Sequence, residues 1–157
     1  MKKILVLIIL IVTLTSAMYA GPKEILQVGE RLKYEVSFLG INLGTIEIST
    51  DGTEDYNGKK VYLVKADIKT YDGIPFVDLK ATFNSWADAS LNHTHKFTSN
   101  MKKGDEKWEY QQLLMDYDKM NVNMKVWENK ELTAEKDISL DSKINDGTSL
   151  FFLARRY

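Results

Sequence analysis

Leu32, Tyr34, Val36 and Phe38 occupy every second position of one short segment, with Lys33, Glu35 and Ser37 between them. A period of two gathers those apolar side chains on one face of an extended strand; at helical spacing they would scatter around the axis. The same rhythm returns along the chain. Ile46 and Ile48 repeat it, followed by Val77, Leu79, Ala81 and Phe83, then Leu91, His93, His95, Phe97 and Met101, and then Val122, Met124 and Val126. Near 106–117, Trp108, Tyr110 and Leu114 fall on one side and Leu113, Met115 and Tyr117 on the other, which predicts a strand partly covered on both faces.

Turn chemistry punctuates these runs. Gly40 and Gly44 bracket Ile41-Asn42-Leu43, and Asp51-Gly52 predicts the end of the second strand. Asn57-Gly58 is the strongest hairpin signal, because both central positions of a type I′ turn need positive φ. Asp72-Gly73-Ile74-Pro75, Gly104-Asp105 and Asn129-Lys130 supply further breaks. Strands joined by short turns at such spacing predict a mainly β protein, an antiparallel meander forming an open curved sheet or half-barrel. After Asp146-Gly147-Thr148-Ser149 the pattern changes. The run Leu150-Phe151-Phe152-Leu153-Ala154-Arg155-Arg156 predicts one helix over 147–156, with Asp146 as its N-cap and Ser149 in its first turn. Phe151, Ala154 and Leu150 are its expected buried face, laid against the concave side of the sheet.

The N-terminus has another character. Met1-Lys2-Lys3, the apolar run Ile4 to Val12 and a small-residue exit at Ala17 or Ala20 make a secretory signal peptide over 1–20, leaving one β-rich domain over 21–157. An uncleaved anchor is the competing reading, weakened by Thr13, Thr15 and Ser16. The chain contains no cysteine. A lipoprotein anchor, disulfides and thiol nucleophiles are thereby excluded, so stability has to come from a packed core. Loss of Lys2 and Lys3 from 21 basic against 22 acidic residues leaves a net charge of −3. Alternating charges such as Lys65-Ala66-Asp67 give no electrostatic case for nucleic acid. The expected location is the periplasm or the exterior.

Gly29-Glu30-Arg31-Leu32-Lys33-Tyr34-Glu35-Val36, Gly40-Ile41-Asn42-Leu43-Gly44 and the Asp-x-x-Ser-x-x-aromatic-x-x-Arg run from Asp146 to Arg155 resemble, in order and spacing, landmarks of the domain of unknown function 3108 family of exported bacterial proteins. The resemblance covers nearly the whole chain after residue 20. It implies an open half-barrel with a helix in its mouth and carries no assigned catalytic residues. It also implies further strands after the helix, so a chain stopping at Tyr157 reads as truncated after its mid-domain helix.

Several groups invite chemistry. His93-Thr94-His95 is the only histidine pair; at i, i+2 on a strand both rings share a face, as zinc or copper ligation needs, but no third ligand is evident beside them in the sequence, neither Asp88 nor Glu109. The expectation is therefore ordinary strand residues, with no metal and no cofactor. Asp78, Asp88, Glu106, Glu109 and Asp116 read as the charges of a solvated sheet face rather than a glycosidase pair, and no nucleophilic serine motif is present. No catalytic residue is assigned. Tyr34, Phe97, Trp108, Tyr110 and Phe151 are the expected ligand-binding aromatics, lining a concave site for a lipid or other amphipathic ligand. The function expected is non-enzymatic binding in cell-envelope maintenance. The alternatives are an assembly factor that pairs an envelope protein through a sheet edge, and an envelope-polymer enzyme.

Overall fold

The computed structural model describes residues 26–75, 77–104, 106–148 and 150–153. The expected signal peptide with its cleavage sites, the first-turn role of Ser149, and the assignments to Ala154, Arg155 and Tyr157 lie outside the described residues.

Eight strands follow one another: β1 (Arg31–Phe38), β2 (Ile41–Tyr56), β3 (Lys59–Thr70), β4 (Lys80–Asp88), β5 (Thr94–Lys102), β6 (Trp108–Asp116), β7 (Asn121–Glu128) and β8 (Glu131–Ser139). Each pairs antiparallel with the next, so strand order in the sheet equals chain order, and among the described residues β1 and β8 are the two edges. The sheet is open, as the alternation predicts. One helical turn, α1 (Leu150–Leu153), follows.

The turn at Asn57-Gly58 carries φ of 54° and 75°, as a type I′ hairpin requires. Asp51-Gly52, by contrast, does not end β2. It forms a bulge between Thr50 and Gly52, and the strand runs on to Tyr56 because Leu63, Tyr62 and Val61 of β3 continue the ladder. Gly44 is required for a different reason: a Cβ there would lie 2.3 Å from the Lys69 carbonyl oxygen of the neighbouring strand. Val77 and Leu79, expected within a strand, precede β4, and Val77 is exposed.

Register assigns the faces. Leu32 opposes Ile48, Ile48 opposes Ala66, and Ala66 opposes Phe83, so these side chains share one side of the sheet with Val64 and Tyr62. Leu26, Ile48, Tyr62, Val64, Ala66, Ala87, Leu91 and Phe152 form the core on this inner face, with Leu32, Ile46 and Phe83 packed against it. α1 therefore covers the sheet with Phe152, which is fully buried, whereas Phe151 and Leu150, its expected buried face, are exposed. Among the described residues the helix starts only at Leu150, because the chain before it is committed elsewhere. Asp146 is not its N-cap; the Asp146 carboxylate accepts from the Thr148 N–H at 2.7 Å and the Thr94 hydroxyl at 3.0 Å. Asn145 donates to the Leu91 carbonyl at 2.7 Å, and Thr94 N–H donates to the Ile144 carbonyl at 2.9 Å. Segment 144–148 is thus a clasp tied to the start of β5, and it sets Phe152 over the core.

Candidate functional site

Beneath the clasp lies an apolar cavity of about 210 Å³, lined by Ile46, Ala66, Ile68, Phe83, Phe97 and Phe151, with Asp146, Gly147 and Thr148 at its rim. Phe83 and Phe97 stack at 6.0 Å between centroids, and Tyr34 meets Phe151 at 5.7 Å. Three of the five expected ligand-binding aromatics, Tyr34, Phe97 and Phe151, therefore gather on the inner face. The apolar surface continues along β1. A bulge between Val36 and Ser37 resets the register so that Phe38 opposes Ile41. Asn42 bonds Glu35 across the outer face at 3.0 Å, which leaves Phe38 and Ile41 on the inner side with Tyr34 and Val36. All four are exposed, Phe38 by 65%.

Trp108 and Tyr110 are not part of this site. Tyr110 opposes Asn100 and Trp127, on the face opposite Phe97, and the period of two puts Trp108 there as well. With Trp127, whose ring lies 5.3 Å from that of Tyr110, they line a separate hollow with Asn100, Asn129 and Lys130. Residue type singles out aromatics in the sequence; the parity of β6 decides which side of the sheet they serve.

The histidines have a third neighbour after all. Asp88 closes the β4–β5 connection: its backbone N–H donates to the His93 carbonyl at 3.0 Å, and its Oδ1 accepts from the Ser90 N–H at 2.8 Å and from the Ser90 hydroxyl. That Asx turn leaves Oδ2 facing the His93 ring, 3.9 Å from Nε2. A bulge follows, in which Trp86 opposes Lys96 while Ala87 opposes Thr94; His95 is the extra residue and its ring comes to 4.8 Å from that of His93. One ligand atom from each of Asp88, His93 and His95 lies within 4.8 Å of the others. The expectation that Asp88 does not stand beside the two histidines is corrected by these two backbone devices.

Both histidines are buried, and burial lowers each imidazole below its ordinary pKa; Lys59 and Lys143 push the same way, while Asp88 opposes them. Burial raises the Asp88 carboxyl, but the two Ser90 hydrogen bonds and the histidines outweigh it and hold it below its usual range. His95 Nε2 is buried with no hydrogen-bond partner among the described residues. Tyr117 packs edge-on against both rings, at 5.2 Å and 5.9 Å, but its hydroxyl is committed to the carbonyls of Thr94 and Ile144. Burial raises its pKa, so it stays a neutral donor. A polar cavity of about 620 Å³, lined by Tyr56, Lys59, His95, Met115, Tyr117 and Asp137 among others, reaches His95 from the side.

Of the remaining candidate carboxylates, Asp78, Glu109 and Asp116 face ammonium groups. Asp78 pairs with Lys102 and Lys80, Glu109 with Lys103 at 3.6 Å and Asp116 with Lys119 at 2.9 Å. No helix among the described residues is long and apolar enough to cross a membrane.

The fold and site together define a class: an open antiparallel meander whose inner face is partly covered by a clasp. Comparison with family models, curated proteins and solved structures gives no match for this chain.

Proposed function

We propose that the chain is an exported, non-enzymatic binding protein that holds the apolar part of an amphipathic ligand on its inner face. The observation that supports this best is the continuity of apolar surface from the cavity under Phe151, past Tyr34 and Val36, to the exposed Phe38 and Ile41. The cavity is smaller than the ~300–1,000 Å³ usual for compact ligands, which suits a slender group such as an acyl chain entering it while the rest lies along β1. The ammonium partners of Asp78, Glu109 and Asp116 favour binding over glycoside hydrolysis. The N-terminal Lys2-Lys3 and the apolar run after them support the periplasm or exterior as the place of action.

Native mass spectrometry of the purified chain should show a lipid-sized adduct lost on denaturation. In solution, the apolar fluorophore N-phenyl-1-naphthylamine should bind with enhanced emission, and the double variant Tyr34→Glu, Phe151→Glu should weaken it at least tenfold. Both residues are partly exposed, so the variant retains the core. Unchanged dye binding in that variant would remove the inner face from consideration.

A second reading rests on the same edge. Among the described residues β1 pairs only with β2 and presents an open row of backbone groups beside exposed Phe38, so a partner strand of an envelope protein fits there by β-addition. Cross-linking from position 37 to a defined partner, with no adduct in the native spectrum, would favour it.

A further inference from the structure

We infer that Asp88, His93 and His95 form a binding site for a divalent transition metal of the zinc type, with its open coordination position toward the polar cavity. This site is separate from the apolar strip and does not depend on it. Two imidazoles and one carboxylate are the donor set that borderline cations such as Zn²⁺, Co²⁺ and Ni²⁺ prefer.

The argument begins with His95. A buried imidazole nitrogen without a partner forfeits the hydrogen bonds it would make in water, and native interiors rarely tolerate that loss. A metal ion satisfies such an atom, and here two further donors already lie within 4.8 Å of the ring. Tetrahedral bonds of about 2.0–2.1 Å place ligand atoms about 3.4 Å apart, so the set has to draw in by no more than about 1.4 Å. Neutral imidazoles and an ionised carboxylate are the protonation states that ligation needs, and burial and the Ser90 hydrogen bonds favour them.

The surroundings fix the set in advance. Ser90 holds Asp88 Oδ1, which leaves Oδ2 for the ion. Such an orienting contact to a ligating carboxylate is the usual outer layer of a metal site. Tyr117 is tied to two carbonyls and walls one side. The cavity at His95 supplies an entry path and room for water or an exogenous group on the fourth position, as in zinc sites that bind or activate a small molecule. Lys59 and Lys143, close enough to depress both histidines, limit the affinity and favour an anionic fourth ligand.

The test is titration of the chelator-stripped chain with Zn²⁺ by calorimetry, and with Co²⁺ by absorption. The expected result is one saturable site per chain, visible bands of low-symmetry Co²⁺, and ring ¹⁵N shifts on Zn²⁺ addition confined to His93 and His95. Outer-layer substitutions typically cost about 10–100-fold in metal affinity, so removing a direct ligand in His95→Gln or Asp88→Asn should cost at least about 100-fold. The ring shifts are read on the unmodified chain, so they decide the matter even if a variant fails to fold. Absence of saturable binding at millimolar Zn²⁺, or shifts that spare both histidines, would overturn the site.

Discussion

Two stretches of one sheet, β2 to β4 and the last strand β8, meet opposite fates. In β2, β3 and β4, Ile48, Thr50, Val61, Val64 and Ser85 are fully or almost fully buried, whereas every residue of β8 is exposed, including Leu132 and Ile138. The difference is not local. Ala134 and Ile138, opposite Val126 and Val122, are as ready for burial as Ile46 and Ile48, but nothing among the described residues covers them, while Leu26, Leu91 and Phe152 close over β2 to β4. Alternation prepares a face; a tertiary cover decides whether it becomes core.

Substitutions should widen or erase that contrast. Phe152→Ala removes the fully buried cover residue and should destabilise by about 3–5 kcal/mol in urea unfolding, the range for large aromatic truncations; a cost below about 1 kcal/mol would mean that the clasp is not what separates the two stretches. Gly44→Ala forces a Cβ against the Lys69 carbonyl and should cost about 2 kcal/mol, read the same way. Asn145→Ala deprives the Leu91 carbonyl and the Gly147 N–H of their partner, and about 1–2 kcal/mol should be lost, with faster hydrogen exchange at Leu91 and Thr94 and little change in β7. Leu132→Thr in β8 should stay within about 0.5 kcal/mol of the parent; a larger loss would show that β8 is covered in solution.

Much of the fold was legible in residue order. The alternation from Leu32 to Phe38 and the Asn57-Gly58 turn lead directly to β1 and the second hairpin, because both depend on neighbours only. Asp51-Gly52 misleads because glycine marks a bulge as readily as an end, and the partner strand decides which. The shared face of Tyr34, Phe97 and Phe151 follows from residue order, since each keeps the parity of its strand or lies on the covering turn. Trp108 and Tyr110 were assigned to it by residue type, and β6 parity places them on the other side. The Asp88 neighbourhood was hidden because the alternation carries the fifth strand back to Leu91, whereas β5 begins at Thr94. With Asp88 and His93 as the flanks of the connection, the ladder sets them side by side, and Asp88-Ala89-Ser90 as an Asx turn is the signal that points there. Segment 144–148 reads as the approach to a long helix; its hydrogen bonds go instead to β5, more than forty residues earlier, a pairing that no local pattern announces.

Because each strand pairs only with its sequence neighbours, the sheet is able to assemble hairpin by hairpin as the chain emerges, each closure spanning a short loop. The bonds from Asn145 to Leu91 and from Asp146 to Thr94 span 54 and 52 residues and wait until almost all of the described chain is present. Folding of this molecule therefore divides into a fast, sequential zippering and one late docking step, and Phe152 reports the second. A fluorophore beside Phe152 would time the closing of the clasp against strand formation read by circular dichroism.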